Sequence, residues 1–332
     1  MTMKKNIKPS ETLVEELRKR SRKGLELAKK IMLAEKIEHK KMRDALEHYT
    51  SSWDDFTHAG MLSIACEAVG GNTHKATKVQ AAIAMVAAAF DIHDDIIDRS
   101  RTKHGVPTVF GKFGKDVALL LGNAFVLRGF TFLGESTSEL PRERAKEIFA
   151  TLNRTLSDVG NAHALELNLR GRTNDVSERY LHVVKMKAAS IEADMRIGAL
   201  VGGGTTGEVE ALTKYGRIMG TLATLREEFI DIFEIEELRQ RIRGQYLPVP
   251  ILYAMQDAKS YAVIQKLLAS GKLRKDDINE LVDAVFDAKS VKKLRKTMEN
   301  LISESVQLVE KARNDEPKSL LVSLTSSALE DL

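Results

Sequence analysis

Apolar residues recur along most of the chain at the spacing of helix faces. No segment alternates apolar and polar residues between turn signals, as a strand would. The longest pattern covers residues 76–100, "ATKVQAAIAMVAAAFDIHDDIIDRS", which lacks glycine and proline and is rich in alanine, the strongest helix former. Residues 105–114 interrupt it with glycines and a proline. The pattern predicts a long helix that ends on a cluster of acids.

The remaining segments predict more helices. A charged N-terminal helix is expected at about residues 10–35, with Ser10 as its cap. Further helical patterns cover residues 115–134, 141–171, 177–204, 208–244 and a segment after Pro250. No internal repeat or low-complexity linker is evident. We therefore predict an all-α fold: a single-domain bundle of about ten or more helices over residues 1–332, with buried Ala-rich and Leu-rich central helices.

Composition narrows the function classes. Hydrophobic residues make up 43% of the chain and charged residues 30%, which is enough for both a core and a solvated surface. The formal net charge of +4 is too small to argue for nucleic acid. Aromatic residues are only 5% of the chain and no basic stripe is interleaved with them. We expect no nucleic-acid partner.

The single cysteine, Cys66, rules out a disulfide within one chain and favours a reducing compartment. The charged N-terminal stretch lacks the apolar centre of a signal peptide. No uninterrupted apolar run reaches the roughly 20 residues that a membrane span needs. A soluble cytoplasmic protein without a membrane span is the expectation.

Four aspartates stand at the end of the long apolar helix. With about 3.6 residues per turn, Asp91, Asp94, Asp95 and Asp98 share one helix face, which we call the first acidic row. Four like charges on one face repel, so a compensating partner is expected. Mg²⁺ prefers such oxygen ligands and often bridges to substrate phosphates. The row predicts a magnesium site at the mouth of an apolar pocket lined by residues 81–90.

The alternative is a solvated acidic helix end. That alternative is disfavoured, because a solvated face should not directly continue an apolar helix. His93 lies off the acidic face, and an ordinary helix histidine is the favoured interpretation for it.

A second acidic row lies at residues 225–238, "LREEFIDIFEIEEL". Glu227, Asp231 and Glu234 are spaced to share a face, and Glu228 stands beside them. Two such rows could hold a diphosphate between them through Mg²⁺. A surface helix with salt bridges to nearby arginines such as Arg241 is the open alternative.

These motifs resemble the trans-isoprenyl diphosphate synthase (polyprenyl synthetase) family. "DDIID" at 94–98 matches the DDxxD motif of that family, and the following run through residue 125 continues the likeness. Further similar stretches are "SIACEAVGG" at 63–71, "YGRIMG" at 215–220, "KAAS" at 187–190 and "LPVPILYA" at 247–254. The resemblance implies an all-α fold around a central cavity, usually dimeric, with an allylic prenyl diphosphate as substrate.

The resemblance also implies roles for individual residues. About two or three Mg²⁺ ions would bridge to the diphosphate from Asp94, Asp95 and Asp98, with Glu227 and Asp231 as the second set of ligands. Asp94, Asp95 and Lys187 would be the catalytic residues. The positions that match substrate-binding residues of the family are Lys103, His104, His163 and Lys187. Phe90 stands where a bulky residue could limit the depth of the prenyl chain, and plain core packing is equally open for it.

The chain departs from the family at the isopentenyl diphosphate site. "DDFTHAG" at 54–60 replaces the basic GGKRxRP motif, so three cations that bind this diphosphate are missing. His104 and His163 replace an arginine and a glutamine, and Ala223 and Thr224 replace FQ. The allylic half of the site is retained, whereas the isopentenyl half is rewritten.

We therefore predict an Mg²⁺-dependent prenyltransferase that ionises an allylic prenyl diphosphate and transfers the prenyl chain. One alternative is a terpene-synthase-like lyase that acts on one prenyl diphosphate. Another is a non-catalytic regulatory subunit of a heteromeric synthase. As partners we expect the prenyl diphosphate and a second copy of the chain, or a homologous subunit.

Overall fold

The computed structural model describes residues 9–103, 105–173, 176–244, 247–269, 274–330 and 332, and these residues are helical almost throughout. The predicted all-α class is confirmed. The helices in chain order are α1 (Pro9–Leu33), α2 (Lys40–Ser52), α3 (Thr57–Ala68), α4 (Thr73–Ile97), α5 (Val109–Phe113), α6 (Lys115–Thr137), α7 (Arg142–Leu169), α8 (Ser177–Lys187), α9 (Ala189–Gly202), α10 (Thr206–Ile230), α11 (Ile235–Arg243), α12 (Val249–Ala254), α13 (Ala258–Ala269), α14 (Lys275–Asp287), α15 (Lys289–Val309) and α16 (Asp315–Ser326), followed by a 3₁₀ turn at Ser327–Leu329.

Two short strands lie in the break after α4, where no strand was predicted. β1 (Thr102–Lys103) and β2 (Val106–Pro107) pair antiparallel, with Thr102 opposite Pro107. Gly105, before β2, has φ +77°, a conformation that glycine adopts without steric cost. Strands of two residues are too short to show an alternating pattern, which is why the sequence does not reveal them.

The chain forms two compact units. Unit 1 contains the residues up to Thr151, together with Asp194–Leu212 and Ala312–Ser319. Unit 2 contains Leu152–Ala193, Thr213–Lys311 and the chain from Leu320 onward. A single domain over 1–332 stays a prediction, and each unit is described by itself below.

In unit 1, α4 packs along α6, and α1 and α3 pack beside it. The alanines of α4 allow this close approach, and glycines of α6 extend it. A Cβ at Gly129 would lie 2.7 Å from Val86 Cγ2, too close for any other residue without a shift. The buried side chains at the centre of this core are Ala81, Ala84, Met85, Ala88, Ala89, Ile92, Leu121 and Phe125.

In unit 2, the core lies around α8, α10, α12, α14 and α15. Its buried side chains include Val184, Leu222, Phe229, Ile232, Val249, Ile251, Leu281, Val285 and Leu294. Gly220 in α10 permits a close contact, since a Cβ there would lie 3.0 Å from Ala188 Cα.

One helix of the described residues, α6, is apolar and long enough by composition to cross a membrane, and 33% of its most apolar window is buried. Its buried side carries Leu121, Phe125 and Leu133, and it packs on α4. Its other side leaves Leu120 56% and Leu127 69% exposed. Packing within unit 1 accounts for the buried side of α6, whereas Leu120 and Leu127 leave an apolar surface exposed on its other side.

Candidate functional site

The first acidic row lies at the C-terminal end of α4. Most of the preceding apolar stretch is core, because Ala81, Ala84, Met85, Ala88 and Ala89 are buried between helices. Core packing is therefore the correct interpretation for these residues. Ala87 and Phe90 are only half buried, as are Asp91 and Asp94. These four positions follow helical spacing, so one apolar strip of α4 leads directly into the acids.

Lys103 on β1 compensates two of the four acids. Its Nζ lies 2.5 Å from Asp91 Oδ1 and 3.1 Å from Asp95 Oδ1. Burial opposes the charged ammonium, but the carboxylates of Asp91 and Asp95 outweigh it and raise the pKa of Lys103. Tyr49 from α2 adds a hydroxyl 3.4 Å from Asp91 Oδ2. Lys103, which the family resemblance implies to be substrate-binding, therefore lies beside the predicted metal ligands.

Asp95 has an environment that suits a cation. It is only 4% exposed, and burial raises its pKa to about 6 despite the opposing charge of Lys103. Its Oδ1 atom lacks a hydrogen bond, since Lys103 approaches it as an ion pair without hydrogen-bond geometry. A buried carboxylate oxygen in this state is a suitable ligand for a hard cation.

The donor set of the row consists of carboxylates, which fits Mg²⁺. Within the described ranges, no three or more His, Cys, Asp or Glu side chains are arranged to enclose a metal ion by themselves. An ion on the row would therefore complete its shell with water or with substrate oxygens, as Mg²⁺ usually does.

A cavity of about 500 Å³ opens beside the acidic row in unit 1. Arg18 lies in its wall and pairs with Asp54 at 2.9 Å, while its guanidinium stands 4.9 Å from the centre of the Phe56 ring. Other lining side chains are His48, Tyr49, Trp53, Asp54, Asp55, Phe56, Asp91, Asp95, Lys103 and Thr108. The segment "DDFTHAG" therefore forms part of the wall next to the predicted metal ligands.

An ion pair between half-buried His58 and buried Asp194 lies next to this wall and was not predicted from the sequence. His58 Nδ1 is 2.7 Å from Asp194 Oδ2, within unit 1. Burial opposes the charged imidazole, but the carboxylates of Asp194 and Asp55 raise the pKa of His58 to about 10. The partners are 136 residues apart in sequence, so no local pattern could have indicated the pair.

In unit 2, the structure brings His163 and Lys187 to one carboxylate. Lys187 Nζ lies 2.6 Å from Glu166 Oε2, Tyr180 donates to Glu166 Oε1 at 2.6 Å, and His163 Nδ1 is 3.8 Å away. Burial favours the neutral acid, but Lys187 outweighs it and lowers the pKa of Glu166. Two residues implied as substrate-binding are thus neighbours, and their substrate contacts stay predictions. His104 lies outside the described residues.

The second acidic row is not on one continuous helix, which differs from the predicted pattern. α10 ends at Ile230, Asp231 follows it, and Glu234 is the residue before α11. The chain turns here because Ile232 is buried in the core of unit 2. The helix predicted over residues 208–244 was therefore too long, because periodicity alone does not show where a helix ends.

Arg241 of α11 neutralises this row. Its guanidinium is only 5% exposed, pairs with Asp231, and donates to Glu228 Oε1 and Oε2 at 2.9 and 2.8 Å. The backbone N–H of Val249 donates to Glu228 Oε2 at 2.8 Å. The alternative of arginine salt bridges is therefore correct for Arg241, although the site is buried rather than on the surface. Metal binding by Glu227 and Asp231 stays a prediction.

The fold is all-helical, and a half-buried apolar strip of its long helix α4 leads into a row of aspartates. Comparison places it in a family. The polyprenyl synthetase family model matches residues 39–285, which is most of the chain. The chain therefore belongs to the polyprenyl synthetase family.

Individual proteins show the same relationship. The chain is 30% identical over 188 residues to a geranylgeranyl diphosphate synthase of Methanosarcina mazei, covering 56% of this chain and 57% of that protein. It is 24% identical over 296 residues to one of Sulfolobus acidocaldarius, covering 87% and 84%. A geranylgeranyl pyrophosphate synthetase structure from Pyrococcus horikoshii superposes with a TM-score of 0.84 at 19% identity, covering 97% and 99%. At 19% identity, the superposition with the Pyrococcus horikoshii structure shows a shared fold.

Proposed function

We propose that the protein is an Mg²⁺-dependent prenyltransferase of isoprenoid biosynthesis that acts on an allylic prenyl diphosphate. One observation carries this proposal: the half-buried strip of α4 runs from Ala87 and Phe90 into Asp91 and Asp94, next to buried Asp95. An apolar surface that ends on metal-binding carboxylates matches a ligand with an oily chain and a diphosphate head. Family membership and relatives named geranylgeranyl diphosphate synthase support the same class.

Different residues contact the prenyl chain and the diphosphate head group. Ala87 and Phe90 contact the prenyl chain, and the bulk of Phe90 limits how deep the chain reaches. Asp94, Asp95 and Asp98 would hold Mg²⁺, which would compensate the charge of the departing diphosphate. Lys103 leaves its carboxylate partners and binds the diphosphate oxygens. The apolar strip excludes water from the allylic cation.

We also propose Lys187 and His163 as substrate-binding residues. Lys187 is held in place by Glu166, so its ammonium is positioned before a ligand arrives. At the second row, Arg241 already supplies a cation beside Asp231. The geometry favours the first row as the main metal site.

The test is an assay with purified protein, Mg²⁺ and geranyl, farnesyl or geranylgeranyl diphosphate, with product analysis by mass spectrometry. Prenyl transfer predicts Mg²⁺-dependent release of pyrophosphate and attachment of the prenyl group to an acceptor. Hydrocarbon or alcohol as the sole product would instead indicate lyase chemistry. No turnover, with altered product length on mixing with an active homologue, would indicate a regulatory subunit.

We also propose that the protein is a homodimer and that the exposed face of α6 forms the interface. Leu120 and Leu127 are seven residues apart and lie on one helix face, with Leu119 beside it. An apolar patch of this kind marks an association surface. A homologous subunit in place of the second copy is the other outcome of the test.

Replacing Leu127 with Asp should convert the dimer to a monomer, because a charge would be buried at the centre of the interface. Light scattering coupled to size-exclusion chromatography reports the mass. Leu33→Asp, at an exposed leucine on α1, serves as the matched control and should leave the dimer intact. A wild-type protein with the mass of one chain would refute the proposed dimer.

A cytoplasmic location is proposed as well. Its support is that Cys66, the one cysteine of the sequence, is buried and unpaired. Burial raises the pKa of this thiol to about 12, which favours the protonated, less nucleophilic form.

A further inference from the structure

We infer that His48 of α2 is a positioning residue for the prenyl diphosphate: it holds the β1–β2 hairpin in place, so that Lys103 on β1 meets the diphosphate. The inference rests on the proposed prenyltransferase function and adds a residue that acts through Lys103. Two observations carry it, the hydrogen bonds of the His48 ring and the small size of the hairpin that this ring contacts.

The hairpin that carries Lys103 is too small to be stable by itself. Each strand has two residues, with Thr102 opposite Pro107 and Lys103 opposite Val106. Pro107 has no backbone N–H, so one donor is missing from this short ladder. All four of these residues are exposed. A two-stranded hairpin of this kind needs contacts with other elements to keep one position.

Contacts at the base of the hairpin fix where it begins and ends. Thr108 Oγ1 donates to the carbonyl oxygen of Ser100 at 2.7 Å, and the backbone N–H of Thr108 donates to the carbonyl oxygen of Arg101 at 3.0 Å. Gly111 of α5 permits this close approach, because a Cβ there would collide with the Arg101 carbonyl oxygen. These contacts close the base, so the strand residues must be held from elsewhere.

His48 supplies a contact to the second strand. Its Nε2 lies 2.8 Å from the carbonyl oxygen of Pro107, and its Nδ1 lies 3.2 Å from Lys112 Nζ. An ammonium group only donates and a carbonyl oxygen only accepts, so Nδ1 accepts from Lys112 and Nε2 donates to Pro107. Lys112 therefore selects the tautomer that binds the hairpin. The ring also packs edge-on against Phe113, with centres 5.6 Å apart, which limits its rotation.

The hydrogen bond from His48 matters most when substrate is bound. Without a ligand, Lys103 itself joins the hairpin to α4 through its ion pairs with two aspartates. In the proposed complex its ammonium turns to the diphosphate, and these ion pairs are lost. The bond from His48 to Pro107 does not involve the aspartates and persists. Because Pro107 follows Val106, the residue opposite Lys103, the bond orders the lysine before binding and reduces the entropy lost there.

Two amide substitutions separate the roles of the two ring nitrogens. The amide nitrogen of glutamine in His48→Gln takes the place of Nε2 and can donate to Pro107, whereas the shorter side chain in His48→Asn reaches only as far as Nδ1. Calorimetric titration with farnesyl diphosphate in Mg²⁺ gives the Kd. We expect the Kd to rise about tenfold in His48→Asn, since one hydrogen bond is lost, and to stay within about threefold of wild type in His48→Gln.

The turnover number should respond differently. At saturating farnesyl diphosphate, kcat for pyrophosphate release should stay within about twofold of wild type in His48→Asn, because the lost contact orders the binding group and does not touch the reacting atoms. Glu47→Gln, at the exposed neighbour of His48 on α2, is the control and should match wild type in both constants.

A double variant shows whether His48 acts through Lys103. Lys103→Met keeps much of the length of the side chain, removes the ammonium, and should itself raise the Kd. Adding His48→Asn to Lys103→Met should cause no further increase, because the hairpin then presents no ammonium to the diphosphate. A residue that only stabilised α2 would weaken binding by the same factor in both backgrounds.

Hydrogen exchange tests the contact without substrate turnover. In the ligand-free protein, His48→Asn should speed exchange of the backbone amides of β1 and β2 about tenfold relative to wild type, and His48→Gln should not. Amides in the middle of α4 should exchange at the wild-type rate in both variants, which shows that the fold of unit 1 is intact.

The outcomes separate this inference from the proposed function. An unchanged Kd in His48→Asn, an equal loss in His48→Gln, or a further loss in the Lys103→Met background would overturn the positioning role and leave the prenyltransferase proposal standing. Failure of the wild-type protein to bind farnesyl, geranyl or geranylgeranyl diphosphate with Mg²⁺ would overturn the prenyltransferase function itself.

Discussion

Replacing Asp95 with Asn should lower Mg²⁺-dependent consumption of the prenyl diphosphate by about 10³-fold or more. The substitution keeps the shape of the side chain and removes the charge that draws a cation into the buried position. Asp94→Asn should act in the same direction, because its carboxylate belongs to the same row. The rate is measured as pyrophosphate release with saturating substrate. Undiminished turnover in both variants would refute the assignment of the row.

The stability of the Asp95→Asn variant should change in the opposite direction. Burial raises the pKa of Asp95 to about 6, so holding its carboxylate ionised at neutral pH costs folding free energy. A carboxyl group whose pKa is higher in the folded than in the unfolded protein lowers the free energy of unfolding as the pH rises through the pKa of the folded state. Removing it should raise the free energy of unfolding at pH 7.5 by about 1 kcal/mol. If the Asp95→Asn variant were less stable than wild type as well as less active, Asp95 would have a structural role instead.

Replacing Arg241 with Met should destabilise unit 2 by about 3–5 kcal/mol. The guanidinium is almost fully buried and is shared by Glu228 and Asp231, so its removal leaves two carboxylates without their cation. Chemical unfolding followed by circular dichroism measures the change. Arg239→Met is the control on the same helix, because Arg239 pairs at 2.5 Å with exposed Glu236 and such pairs contribute about 0.5 kcal/mol.

A double variant separates the charge effect from packing. Glu228→Gln combined with Arg241→Met should lose less stability than the sum of the two single changes, because Arg241→Met leaves the Glu228 carboxylate without its cation and Glu228→Gln removes that charge. Additive losses, or equal losses for Arg241→Met and Arg239→Met, would show that the pair is not a charge centre. The same variants, titrated with Mn²⁺, show whether Arg241 competes with a metal ion at the second row.

Helical periodicity was sufficient for the first row and insufficient for the second. Residues 91–97 lie within one regular helix and Asp98 is its C-terminal cap, so the spacing alone places the side chains on a face. Residues 227–234 span the end of α10 and the turn before α11. The end of α10 depends on the packing of Ile232 in the core of unit 2. The other residues of that core come from distant parts of the chain.

The Ala-rich stretch shows another limit. Its composition correctly predicted an apolar helix. Composition did not show which side chains face the core and which, such as Ala87 and Phe90, are only half buried. That division depends on the position of α6, whose glycines let it approach α4 closely. An almost uniformly apolar helix carries little information about which side meets a neighbour.

The amino-acid sequence by itself determined the helical class, the main helices and the acidic face of α4, because local spacing and propensity decide these features. Only the tertiary structure decided which cation meets which acid. Lys103 joins Asp91 and Asp95, Arg241 joins Glu228 and Asp231, and His58 joins Asp194. Charge attraction is not selective among so many candidates, so the packing of helices, which sets the distances and the local dielectric, makes the choice.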